Sequence, residues 1–340
     1  MKCLPCLAVA ALAASACLPA QAQSVADFYR GKNIDLIIST TVATGYDTLG
    51  RLVAEHIGDH IPGNPHIVPR NQPSAGGLTT ANFIYNIAPK DGTAIATVQN
   101  PVPFTPLFGE PQARFDALKM NYLGSANSEV AIAFVWKTSK INTIQDAMKT
   151  ESLMGATGGG STSAFQARAM NTFMGTKFRV ISGYPGSTEA FLAVERGEVD
   201  GYPSVFWSTL KSTKPDWIRD KSIKMLVQLG FEKHPDLPDV PLALDFVKTP
   251  EDKAALELTL APQLPGRPYI APPGLPAERL KALQDAFMAT LADPAFVAEA
   301  KKRDVEIQPK SAEDVHDFIA RIYQTPNDVV KRVNAVRLAQ

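Results

Sequence analysis

The feature that most restricts the fold is residues 34–60, IDLIISTTVATGYDTLGRLVAEHIGDH, which read as strand, polar loop and helix. Leu36, Ile37 and Ile38 form the short, β-branched apolar run of a buried parallel strand. Leu49, Leu52, Val53, His56 and Ile57 then recur at three- and four-residue steps, one face of a helix. Thr44 and Asp47 have the spacing of a capping box, which makes Thr44 the N-cap. The free N–H groups of such a helix start, together with its dipole, attract an anion. The loop offers hydroxyls, Gly45 and Tyr46, but no Lys and no GKS, and so suits a carboxylate better than a nucleoside triphosphate. An ordinary βα turn accounts for the same residues.

The pattern recurs. Pro62-Gly63-Asn64-Pro65 is a turn, residues 66–69 a short strand, and Gln72-Pro73-Ser74-Ala75-Gly76-Gly77 a second Gly-rich loop entering a helix over 78–87. A strand over 94–98 delivers Gln99-Asn100-Pro101 at its carboxyl end, where open α/β sheets bind ligands. A second block starts with a strand over 131–136. Its strand over 152–156 leads into Thr157-Gly158-Gly159-Gly160-Ser161-Thr162-Ser163 and a helix over 164–174. A strand over 178–181 is followed by Gly183-Tyr184-Pro185-Gly186-Ser187-Thr188. Ser187 or Thr188 is placed to cap a helix over 189–196, with Gly197 at C′. Val199-Asp200-Gly201-Tyr202-Pro203-Ser204 opens another strand-to-helix passage, and 223–229 is a strand. The chain crosses between blocks near Gly124 and returns along the Pro-rich residues 262–276. The rest is helical: 277–292, 294–303 and from 312 onward. This gives a first domain of 23–124 plus 264–340 and a second of 125–263, as a length of 340 residues allows.

Residues 1–22 read as a cleavable signal peptide: Lys2, an apolar Ala-rich run, then Ala20-Gln21-Ala22. Ala14-Ser15-Ala16-Cys17 is a weaker, lipoprotein-type alternative that lacks the usual Leu. All three cysteines, Cys3, Cys6 and Cys17, fall in this leader, so the mature chain has no thiol chemistry. Cleavage removes one basic residue and no acidic one, leaving 33 basic against 34 acidic residues and no basic excess for nucleic acid. No later segment approaches the roughly 18 apolar residues of a membrane span. An exported chain without disulfides or anchor points to the periplasm.

No catalytic set emerges. Gly159-Gly160-Ser161-Thr162-Ser163 lacks the last Gly and the spacing of a nucleophile elbow. His56 and His60 stand at i, i+4 but without the His-Glu-x-x-His pattern, and read as a helix flank and not a metal site. Asp47 is assigned to bracing the loop, paired with Arg51 one turn on, since like charges repel an anionic ligand.

The order FYRGKNIDLII, GYDTLGR, PSAGGLTTANFIYNIAPKDGTAIATV, YLGS, GATGGGSTS, YPGSTEAFLAVERGEVDG, DLPDVPLALDF and YIAPPGLPAERL resembles the Bug (TctC-type) substrate-binding proteins of tripartite tricarboxylate transporters. The resemblance runs from Phe28 to the last helix. It implies an α/β fold, a two-domain periplasmic binding protein of the type II-like Venus flytrap class with two crossing strands and a ligand cleft between domains. It implies a small carboxylate ligand, a dicarboxylate or aromatic acid among the options, and integral-membrane permease subunits as partners, with no cofactor and a monomeric receptor. Carried onto this chain, the site residues are Thr41, Ala43, Thr44, Gly45, Tyr46 and Asp47 of the first loop, Ala75 and Gly76 of the second, and Asn100. The second domain adds Thr157, Ser161, Thr162, Ser163, Tyr184, Gly186, Ser187, Thr188 and Asp200. The first loop departs from the family's PGG by losing its double Gly and gaining Tyr46, which marks a divergent branch. The alternatives from the same residues are an exported hydrolase or isomerase using Ser161 or Tyr184, and a ligand sensor for a signalling partner.

Overall fold

The computed structural model describes residues 23–339, apart from 43, 74–76 and 158–160. The leader therefore lies outside the described residues. After a short α1 (Val25–Tyr29), the chain builds β1 (Asn33–Ile38), α2 (Gly45–His60), β2 (His66–Asn71), α3 (Leu78–Asn86), β3 (Ala94–Thr97) and β4 (Asn121–Ser125). The second block is β5 (Ala131–Trp136), α4 (Ile144–Lys149), β6 (Ser152–Ala156), α5 (Thr162–Met174), β7 (Phe178–Ser182), α6 (Ser187–Glu195), β8 (Gly201–Phe206), α7 (Trp207–Thr213), α8 (Pro215–Arg219), β9 (Ile223–Leu229) and α9 (Pro250–Leu260). Then follow β10 (Pro268–Ala271), α10 (Ala277–Ala292), α11 (Pro294–Lys302), β11 (Lys310–Ser311), α12 (Ala312–Tyr323) and α13 (Asn327–Leu338).

Two sheets result. The first has the order β2-β1-β3-β10-β4-β11 and the second β7-β6-β8-β5-β9. In the first, β1 is parallel to β2 and β3, while β10 runs antiparallel to both β3 and β4. In the second, β6 is parallel to β7 and β8, while β5 runs antiparallel to β8 and β9. The two antiparallel strands, β5 and β10, are the first strands made after each crossing. Each sheet thus takes an inner strand that arrives from the other block, and the two crossings tie the sheets together.

The β1 strand is covered on both faces, as its apolar run requires. Ile34, Leu36 and Ile38 pack with Leu49, Leu52, Val53 and Ile57 of α2 and with Leu283 and Phe287 of α10. Ile37 turns to the other side, where Ala81 and Ile84 of α3 lie. Among the described residues no helix is long and apolar enough to cross a membrane.

Two expectations need correction. The N-cap of α6 is Gly186, without a side-chain cap, so neither Ser187 nor Thr188 caps it. The extended backbone of Gly186 starts the helix two residues earlier than the sequence pattern suggested. The last helix also departs from its grouping with the first block: α10 and α12 pack on β4, but α13 packs on α5 and α9. Thr325-Pro326 ends α12 and redirects the chain, and Val329, Val330 and Val333 are then buried on the far side. Arg168 of α5 fixes this docking by donating to the Val336 carbonyl at 3.2 Å, a cation at a helix C-terminus.

Candidate ligand-binding site

The carboxyl ends of β3 and β6 and the start of α5 open onto one cleft of about 690 Å³. Its first wall carries Tyr46, Asn100, Phe104 and Phe108; its second carries Thr157, Ser161, Thr162, Ser163, Phe165, Gln166, Tyr202, Ser204 and Phe206. The crossing segments close the floor with Glu129, Pro262, Gln263, Gly266 and Arg267, and Arg337 enters from α13.

The second wall is a helix start. The Ser161 hydroxyl caps α5 by accepting from the Ala164 amide at 3.2 Å. Its Oγ also lies 3.0 Å from the Ser163 Oγ. The first amides of a helix have no acceptor within it, so Thr162 and Ser163 present N–H groups and hydroxyls at the positive end of α5. The hydroxyl of Ser204 donates to the Gln166 side-chain oxygen. Phe104, Phe108, Phe165 and Phe206 surround these polar groups with apolar surface.

The first wall is held by Tyr46. Its hydroxyl donates to the Gly266 carbonyl at 3.1 Å and accepts from the Asn100 amide at 2.9 Å. Burial pushes this phenol up to about 12, with the Arg267 charge acting the other way, so the hydroxyl keeps its proton at neutral pH. Asn100 extends the link by donating its side-chain amide to the Pro262 carbonyl at 2.8 Å. The Arg267 guanidinium lies over the Tyr46 ring at 4.4 Å and reaches Glu129 at 3.4 Å. Glu129 is buried and accepts from Asn127 and Ser208 as well, each at 3.0 Å.

Of the residues singled out from sequence, Tyr46, Asn100, Thr157, Ser161, Thr162 and Ser163 line this cleft together. The other described ones are not among its lining residues. Thr44 is the N-cap of α2 and its hydroxyl donates to the Thr41 carbonyl at 3.1 Å. Gly45 lines a separate cavity of about 180 Å³, behind Arg267. Asp47 is buried and accepts from Arg51 at 2.9 Å and from Asn71 at 2.8 Å, which braces the loop. Tyr184 packs beside Gly155. Gly186, Ser187 and Thr188 start α6 outside the lining. Asp200 accepts the Leu153 amide at 2.8 Å and ties β6 to the strand entry. Ala43, Ala75 and Gly76 lie outside the described residues.

Sequence reasoning missed Glu129, Gln263 and Arg267. All three lie in or beside crossing segments, which carry no periodic signal; a polar side chain between the prolines of PQLPGRP was the one available hint. The histidines at i, i+4 do not converge. His56 meets Glu299 and His60 meets Asp293, each at 3.2 Å. Glu55, His56 and Glu299 cluster, but Arg303 already bridges the two glutamates.

Two sheets that exchange inner strands, with a polar and aromatic cleft at their strand ends, define a ligand-binding receptor of the two-domain type. The family described as tripartite tricarboxylate transporter family receptor matches residues 49–335, and the chain belongs to it. The fold is similar to that of a TctC solute-binding protein from Polaromonas, solved without ligand, at TM-score 0.73 and 18% identity over 89% of this chain and 99% of that one. It is also similar to an R. palustris protein with adipate, at TM-score 0.58 and 16% identity over 89% and 97% of the two chains. MatC from Rhodopseudomonas palustris with bound malate follows at TM-score 0.55 and 17% identity, covering 90% of this chain and 99% of that one. No curated protein matches the sequence.

Proposed function

We propose that this protein captures a small organic carboxylate in the 690 Å³ cleft in the periplasm and hands it to integral-membrane permease subunits. The observation that carries the reading is the start of α5, where hydroxyls and free amides face an aromatic-lined space at the carboxyl ends of two parallel strands. The adipate and malate held by two proteins of similar fold support the same class of ligand. Residues 23–124 with most of the C-terminal segment form one lobe and residues 125–263 the other. The ligand's contacts with both favour a closed arrangement, which the permease reads.

The receptor acts as a monomer, is exported by a cleavable leader, and leaves its ligand chemically unchanged. Among the described residues no histidine lines the cleft, the Ser161 hydroxyl is engaged with Ser163 and the helix amide, and the carboxylate there, Glu129, is taken up by Asn127, Ser208 and Arg267. The test is a thermal-shift screen of small carboxylates against their neutral amides. A ligand of the folded state raises the melting temperature with its concentration. Shifts with acids and none with amides support the reading; equal shifts, or shifts with neither, overturn it.

A further inference from the structure

Resting on the carboxylate reading above, we propose that Arg267 grips a second anionic group of the ligand. The cleft then takes a molecule with an apolar body and an anion at each end, one on the α5 start and one on Arg267.

Arg267 is built into the cleft and is not a surface side chain that drapes over it. Its side chain is 19% exposed. Its backbone sits on the return crossing, where its amide donates to the Ser125 hydroxyl at 3.1 Å and β10 begins one residue later. The Tyr46 ring supports one face of the guanidinium at 4.4 Å. The one hydrogen bond the guanidinium makes among the described residues is from Nη2 to Glu129, long at 3.4 Å. A guanidinium carries five N–H donors in a planar fork that matches a carboxylate bidentately. Most of that fork is left for a partner.

The surroundings favour an anion there. The guanidinium abuts the first turn of α2: a Cβ built on Gly45 would lie 3.0 Å from Nη2 and 3.1 Å from Nη1. The dipole of a 16-residue helix therefore adds to the guanidinium charge instead of cancelling it. The charged groups that line the cleft, among the described residues, are Glu129, Arg267 and Arg337, a net positive set. Glu129 already has donors on both oxygens from Asn127 and Ser208, so it orients Arg267 without using up its fork. Gln263, 2% exposed, lines the same cavity, and neither atom of its amide has a partner among the described residues. Arg337 is the less suited cation. Its Nε is held by Asn334 at 3.0 Å, and its guanidinium lies over Phe108, at the last turn of the chain.

The experiment is titration calorimetry with 1,4-benzenedicarboxylate and adipate, each beside its half-amide, on the mature protein and on Arg267→Gln, Arg267→Lys and Arg337→Gln. The wild type is expected to prefer at least one diacid over its half-amide by about 30-fold or more, as a site with a dedicated polar partner does. Arg267→Gln is expected to erase that preference while keeping half-amide affinity within about 3-fold. Arg267→Lys keeps the charge, loses the fork, and is expected to lose about 10-fold on the diacid. It also serves as the folded variant if the Gln form fails to fold. Arg337→Gln, which removes a second cation from the cleft lining, is expected to weaken half-amide and diacid alike and to keep the diacid preference.

Diacid preference unchanged in both Arg267 variants, or lost in Arg337→Gln alone, overturns the inference and leaves the carboxylate reading standing. A wild type that binds monoacids but shows no preference for a second carboxylate does the same. Binding of no acid at all overturns both.

Discussion

The guanidinium of Arg267 lies 4.4 Å from the ring centre of Tyr46, and Arg267 lines both the main cleft and the small cavity beside Gly45. Gly45 faces the small cavity behind it, whereas Tyr46, the next residue, faces the large one. A loop read from sequence as the main anion cradle is thus divided by a side chain more than two hundred positions away.

The same stack carries stability. Glu129 is 5% exposed, and Arg267 is its cationic neighbour. Arg267→Met is expected to destabilise the protein by about 3 kcal/mol, because it leaves a buried carboxylate without its counter-charge. Adding Glu129→Gln to that variant is expected to restore part of the loss. Urea denaturation of the two variants checks both statements; an unchanged midpoint for Arg267→Met would show that the pair is not coupled.

Ser161 has a structural role and a proposed binding role, and they can be separated. Ser161→Ala is expected to cost about 1 kcal/mol of stability through loss of the α5 cap, and Ser161→Gly only a few tenths. Both are expected to weaken carboxylate binding alike, since both remove the hydroxyl. Ser187→Ala, outside the cleft, is expected to leave affinity as it was. Calorimetry and thermal melts on the three variants give the comparison.

The acid limb of stability is expected to depend on Glu306. Its carboxyl is held below the usual range, first by the hydrogen bond from His234 at 2.6 Å and further by Lys211. A carboxylate with a depressed folded pKa contributes its stability above the unfolded value of roughly 4.3 and loses it as pH falls through the folded value. The gap between wild type and Glu306→Gln should therefore be full near pH 6 and shrink below about pH 4. Denaturant midpoints across that range measure it, and a gap that widens on acidification would contradict the assignment.

The docking of α13 is expected to matter for the second block. Val333 is fully buried where this helix meets α5 and α9. Val333→Ala is expected to cost about 2 kcal/mol by leaving a cavity. Proteolysis should then report faster cleavage after residue 326, with β1 and α2 unaffected.

Much of the architecture was legible. The strands over 131–136, 152–156 and 223–229 and the helix over 277–292 stand where periodicity and flanking turns placed them. Thr44 caps α2 and Asp47 pairs with Arg51 as their spacing suggested, because both are local interactions between neighbouring turns. The helices α1, α4, α8 and α9 escaped notice. They are short or carry little apolar periodicity, and packing against the sheet decides them. Part of the candidate site was legible for the same reason that caps are: Ser161, Thr162 and Ser163 announce a helix start.

What the sequence determined by itself is the set of strand-to-helix units, their order, and the hydroxyl-rich starts that face one end of each sheet. These follow from short-range rules of apolar period, turn residues and capping. What only the tertiary structure decided is which of those starts share a space. β5 and β10 exchange between sheets, and that exchange brings Glu129, Gln263 and Arg267 to the floor of the cleft and turns Asp200 and Tyr184 away from it. Such contacts link residues far apart in the chain. They are fixed by the burial of each sheet against its own helices and by the strands that cross between the sheets, an energy that no local stretch of sequence contains.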